Sequence, residues 1–114
     1  MPLQKKSKAA GSRRVIRDIV DKIVAEYAPE KIILFGSQAS GRADSESDID
    51  LLIVKDTDMP PMERWVRVKR LLRDRNRLVS VSPIIYSPRE LEARLAMGDF
   101  FLRDIMEQGE VLYG

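Results

Sequence analysis

A small α/β (α+β) fold, in which helices pack on a mixed β-sheet, is predicted by three observations. Short runs rich in β-branched and apolar residues occur at positions 31–35, 48–54 and 78–86, each bounded by Gly, Pro or polar residues. Segments of helical periodicity lie before, between and after those runs. The chain of 114 residues has room for one core and not for two.

Each element follows in order. Residues 1–11 mix Lys, Ser, Gln and Gly without an apolar period and read as a flexible basic tail, leaving 12–114 as a single domain. After Ser12, a candidate N-cap, the residues Val15, Ile16, Ile19, Val20, Ile23, Val24 and Tyr27 recur at the spacing of one helix face, and Pro29 ends the segment. Residues 31–35 form a buried strand stopped by Gly36. Residues 36–47 are small or polar and predict a loop with at most one short helix after Ser37. The run DIDLLIV at 48–54 is a second strand with two aspartates at its start.

Pro60-Pro61 opens a second helix reaching about Asn76, with Met62, Trp65, Val66, Lys69 and Leu72 along its inward stripe. Residues 78–86 are β-rich, but Pro83 cannot donate to a ladder, so this strand belongs at an edge or carries a bulge. Ser87-Pro88-Arg89-Glu90 reads as a cap followed by Pro at the first helical position, leading a helix with Leu91 and Leu95 inward. Gly98 interrupts it, helical spacing resumes through Phe100, Phe101, Ile105 and Met106 to Gly109, and 111–113 suit a short last strand.

The composition excludes several kinds of chemistry. There is no cysteine and no histidine, so thiolate nucleophiles, Ser-His-Asp triads, disulfides and the usual zinc ligand sets are ruled out. Carboxylates, hydroxyls, Lys, Arg, backbone amides or a hard metal ion must do any catalysis. No apolar run has the roughly 18 residues a membrane helix requires, and no secretory leader is legible, so the expected compartment is the cytoplasm and no membrane partner is expected. Charge is segregated along the chain. Positions 44–58 hold six acids against Lys55 alone, whereas 64–77 hold seven bases against Asp74 alone.

The stretch with chemical content is Gly36-Ser37, then ten residues, then Asp48-Ile49-Asp50. Residues two apart on a strand share a face, which brings the two carboxylates together while Ile49 enters the opposite core. Adjacent like charges are unfavourable unless a cation lies between them. Oxygen ligands without His or Cys select a hard ion such as Mg²⁺ (or Mn²⁺), whose shell is completed by water and substrate phosphates. A glycine after a strand lets backbone amides converge on an anion, and the Ser37 hydroxyl adds a neutral donor.

Gly36-Ser37-Gln38-Ala39-Ser40-Gly41, followed by Ser47-Asp48-Ile49-Asp50-Leu51-Leu52, resembles the signature of the minimal nucleotidyltransferases of the DNA polymerase beta superfamily. The resemblance runs from the first helix to the C-terminus. It implies the nucleotidyltransferase fold, an NTP (ATP at the family level) held by Gly36 and Ser37 within the 36–42 loop, and divalent metals held by Asp48 and Asp50. Catalytically active members carry a third carboxylate on the next strand, where this chain has Ser82 in Val81-Ser82-Pro83. Gln38 and Ser40 stand where the family often has Arg, and Arg42 is the nearby candidate to replace that charge. Pairing with small helical HEPN proteins, often as toxin–antitoxin systems, is a further family property.

The leading expectation is therefore an enzyme transferring a nucleoside monophosphate to an acceptor hydroxyl, weakened by Ser82. The second is a nucleotide-binding antitoxin or partner of a HEPN-type protein with little catalysis. The third, a nucleic-acid-binding module, rests on the basic 64–77 segment and ranks last because Trp65 falls on an apolar stripe and is expected in the core. Phe100, Phe101, Ile105, Met106 and Leu112 exceed what one small core can cover, so a homodimer or a complex with a small helical protein is expected.

Overall fold

A computed structural model describes residues 2–36, 39, 48–73 and 80–114, with the side chains of 2–12 outside that description. The elements are α1 (Pro2–Tyr27), β1 (Lys31–Phe35), β2 (Ile49–Val54), α2 (Pro61–Leu71), β3 (Val81–Tyr86), α3 (Pro88–Ala96), α4 (Phe100–Gln108) and β4 (Glu110–Tyr113). The strands form one mixed sheet in the order β3-β2-β1-β4. β1 runs antiparallel to both β2 and β4, and β2 runs parallel to β3. A parallel pair needs a long crossover, and α2 supplies it.

The start of α1 corrects one expectation. The backbone is helical from Pro2, so Ser12 lies inside the helix instead of capping it. Gln4, Lys5, Lys6, Lys8, Ala9 and Ala10 are good helix formers, and the lack of an apolar period removes a reason to pack but not the ability to be helical. The rest of α1 follows the expected stripe: Ile16, Ile19, Val20, Ile23 and Tyr27 are buried, with Val15 and Val24 partly so. Ala28, with φ of 51°, leaves the helix in the left-handed region, and Pro29 follows.

The sheet runs through the middle of the domain's core and divides its buried residues into two clusters. On one face Ile32, Leu34, Ile49, Leu51, Ile53, Val81 and Ile85 pack with α1 and with Val68 and Leu72 of α2. On the other, Ile33, Leu52 and Val54 pack with Leu91 of α3 and Leu102 and Ile105 of α4. α3 opens with the expected capping box: Ser87 Oγ accepts from Glu90 N and the Glu90 side chain accepts from Ser87 N.

Pro83 stands on an edge strand, and the hydrogen bonds explain its tolerance. Ser80 O accepts from Ile49 N and Tyr86 O from Lys55 N, just past the end of β2, so the odd-numbered residues between Ser80 and Tyr86 turn their backbone polar groups outward. Val81 O accepts from Lys69 Nζ at 2.7 Å and Ile85 O from Arg64 Nη1 at 3.3 Å. Pro83, between them, has no N–H to leave unpaired. Two capped carbonyls and a missing donor close this edge to further strand pairing.

The stripe expected on α2 is corrected. Arg64, Val68 and Leu72 face inward, whereas Trp65 is 43% exposed and Met62 more so. Arg64 is buried because it meets several acceptors at once: Glu90 through both carboxylate oxygens (2.6 and 3.1 Å), Met59 O at 2.6 Å and Ile85 O. A residue classed as polar thus occupies the core side and rotates the tryptophan outward. The helix ends at Leu71, and the expected continuation to Asn76 falls largely outside the described residues.

Candidate active site

Gly36 and Asp50 meet at one end of the second face of the sheet. β1 ends at Phe35, which lies opposite Asp50 in the antiparallel register. Gly36 then turns with φ of +76°, a conformation open to glycine and strained for other residues. A methyl group placed on Gly36 would collide with Asp50 Oδ2 and lie 3.3 Å from Asp50 Cγ. The Gly36 turn therefore has the Asp50 carboxylate against it, and the positive φ is the ground on which glycine is favoured there, since the carboxylate end of the Asp50 side chain can swing aside from an added methyl group.

Asp48 immediately precedes β2 and is exposed, whereas Asp50 is half-buried. Burial pushes the Asp50 carboxyl above its usual range, and the negative charge of Asp48 pushes it the same way. Among the described residues no third carboxylate joins them. The parallel register aligns Asp50 with Ser82 of β3, on the face they share with Leu52 and Ile84. Ser82 is exposed, while Val81 and Ile85 enter the opposite core. The serine thus stands beside Asp50, without a bulge turning it away.

Of the other sequence-predicted site residues, Ser37, Gly41 and Arg42 lie outside the described residues. A groove of about 570 Å³ runs along the outer edge of β3, lined by Trp65, Pro83, Tyr86 and the Arg64–Glu90 pair among others. Asp48, Asp50 and Gly36 take no part in it. Its walls are largely apolar and its charged groups, Arg64 and Glu90, are paired with each other, so it lacks the unpaired oxygen donors that Asp48 and Asp50 present.

Sequence reasoning passed over the aromatic neighbours of that surface. Phe101 of α4 meets Phe35 edge-on, with centroids 5.7 Å apart and planes at 84°. The signal, two phenylalanines far apart in sequence, has no meaning until the register places Phe35 beside Asp50.

A sheet with a glycine turn and an Asp-x-Asp strand start on one side defines a nucleotidyltransferase-type protein. The family described as Polymerase beta, Nucleotidyltransferase matches residues 18–114, and the chain belongs to it. A Methanocaldococcus jannaschii protein named "Putative protein adenylyltransferase MJ0604" is 34% identical over 102 residues, covering 88% of this chain and 96% of its own. The fold is shared with a crystal structure from Sulfolobus solfataricus described as a "putative nucleotidyltransferase". That likeness has a TM-score of 0.59 at 24% identity and covers 76% of this chain and 77% of the other.

Proposed function

We propose that residues 12–114 act as a single nucleotidyltransferase domain that moves a nucleoside monophosphate, with AMP from ATP first in order, onto an acceptor hydroxyl. The observation that carries the reading is the contact between the Gly36 turn and the Asp50 carboxylate, because it joins a phosphate-binding turn to a metal-ligand pair. The donor set fits a hard divalent cation, Mg²⁺ or Mn²⁺. Asp48 and Asp50 are oxygen ligands whose mutual repulsion an intervening cation would relieve, and two carboxylates leave positions open for phosphate oxygens and water. When bound, the ion supplies charge neutralisation at the phosphates and polarises an oxygen for attack.

The residues of the chain have separate roles in this reading. Amides from Gly36 onward, the Ser37 hydroxyl, Gly41 and Arg42 hold the triphosphate. The acceptor oxygen bonds to the α-phosphorus, the bond from that phosphorus to the bridging oxygen breaks, and pyrophosphate leaves. At position 82 a hydroxyl replaces the family's carboxylate, so no strong base accepts the acceptor's proton there and it passes to solvent. The name of the M. jannaschii relative favours a hydroxyl on a protein as acceptor.

Transfer is tested with ATP labelled at the α- or the γ-phosphate. Label retained on a protein acceptor only from the α-position, and lost in Asp48→Asn/Asp50→Asn, supports the reading. Calorimetric titration of ATP giving the same affinity with and without Mg²⁺ overturns the metal assignment.

Two other readings have support of their own. Ser82 beside Asp50, together with exposed Met97, Phe100 and Phe101, favours a weakly catalytic partner or antitoxin of a small HEPN-type helical protein, or a homodimer. A strictly monomeric sedimentation profile and failure to retain any such protein count against it. The outward Trp65, with Lys69 5.6 Å over its ring and Arg70 and Arg73 alongside, favours nucleic-acid binding more than the sequence suggested. No described helix is long and apolar enough to cross a membrane, and cytoplasmic residence is proposed with the rest.

A further inference from the structure

Phe35, opposite Asp50, and Phe101, packed on Phe35, make an aromatic pair next to the aspartates. Phe35 is half-buried and faces Asp50 across the β1–β2 ladder, where directly opposed side chains start about 5 Å apart. Phe101 stands nearly perpendicular to it and is 58% exposed. The two rings make an open corner one side chain away from the carboxylate.

The corner is held by rigid elements. Phe35 ends the inner strand β1. Phe101 lies in the first turn of α4, which Asp99 caps by accepting from Leu102 N at 3.0 Å and which Leu102 and Ile105 fix to the core. A helix N-terminal phenylalanine held beside a phosphate-binding turn, with a ring face in water, is placed to stack on a planar group attached to that phosphate.

We propose that the Phe35–Phe101 corner is the nucleobase platform of the site, with the base stacked on Phe101 while the phosphates lie at Gly36 and Asp50. The proposal rests on the nucleotide-binding reading above. Stacking on a hydrocarbon ring carries no hydrogen-bond code, so it tolerates every base and favours the larger purines by contact area. The platform therefore ranks ATP and GTP together, ahead of UTP and CTP, with bare tripolyphosphate last.

The test uses the full chain with Mg²⁺ and titrates ATP, GTP, UTP and tripolyphosphate into the parent, Phe101→Ala and Phe101→Trp, with a melting curve for each. The expected result is that ATP binds the parent about tenfold or more tighter than tripolyphosphate. Phe101→Ala removes that advantage without changing tripolyphosphate affinity, and Phe101→Trp retains it. Unchanged ATP affinity in Phe101→Ala overturns the platform and leaves the phosphate site standing. Equal losses for ATP and tripolyphosphate also overturn it, since the ring would then act only through the fold. Normal ATP binding with poor transfer to a protein acceptor assigns the corner to the acceptor instead. If the parent binds neither ATP nor tripolyphosphate, the nucleotide reading itself fails and the platform with it.

Discussion

Asp50 and Glu90 are both half-buried carboxylates, and the fold treats them in opposite ways. Glu90 faces the buried Arg64 guanidinium through both oxygens and also accepts from Ser87 N, and these partners hold its carboxyl down to about 2. Asp50 faces Asp48 and a glycine turn, and burial with the neighbouring charge holds its carboxyl up. One carboxylate is neutralised within the chain and ties α2, β3 and α3 together. The other has no counter-charge among the described residues, which is what the proposed cation would supply.

The largest break in this comparison is expected at the aspartates. Asp48→Asn with Asp50→Asn should lower nucleotidyl transfer by about 10² to 10⁴, measured as pyrophosphate release, with the fold intact by circular dichroism. A double variant as active as the parent would place the chemistry elsewhere.

Ser82→Asp sharpens the contrast from the other direction, because it adds a third carboxylate beside Asp50. Transfer should rise, by up to about 10⁴-fold, with NTP affinity nearly unchanged. Pyrophosphate release with Mg²⁺ and then Mn²⁺ measures it. A parent already as fast as the variant shows that the site does not need position 82.

At the neutralised carboxylate the effect is on folding. Glu90→Ala removes two charge-assisted hydrogen bonds and half of a capping box and leaves the guanidinium buried, so a loss of about 2 to 3 kcal/mol is expected in denaturant titration. The folded carboxyl is depressed from 4.5 to about 2, so its contribution is present above the unfolded value and fades as pH falls between those two. The gap between parent and variant should narrow over that window. Glu90 is partly open to solvent, which screens the pair and limits the size of the change.

The smallest effect has the opposite sign. In EDTA, Asp50→Asn should raise the melting temperature at neutral pH, since ionising Asp50 is disfavoured in the folded chain relative to the unfolded one. The gain should vanish below the ordinary carboxyl value of 3.8, where both states hold the proton. A lower melting temperature at pH 7 would show that Asp50 is satisfied by groups within the protein.

Much of this contrast was legible in the residues, and the illegible part has a definite cause. The α1 stripe, the apolar strands, Pro83 at an edge and the Ser87–Glu90 box each depend on neighbours within a few positions, where local sterics and hydrogen bonding decide the outcome. The Asp-x-Asp at a strand start and the glycine after a strand are local in the same sense. In the sequence Arg64 is one base of a basic run, because its partners, Glu90 and the Ile85 carbonyl, are 26 and 21 positions away.

The sequence by itself determined the strands, the helices beyond the first eleven residues and which residues offer hard oxygen donors, since period, turn chemistry and donor type are properties of short stretches. The tertiary structure decided which side of α2 faces inward, that β2 lies between β1 and β3, and that Phe35, Asp50 and Ser82 share a line across the sheet. Those outcomes depend on strand order and register. Both are set by the simultaneous packing of helices on the two faces of one sheet, which no local stretch of chain contains.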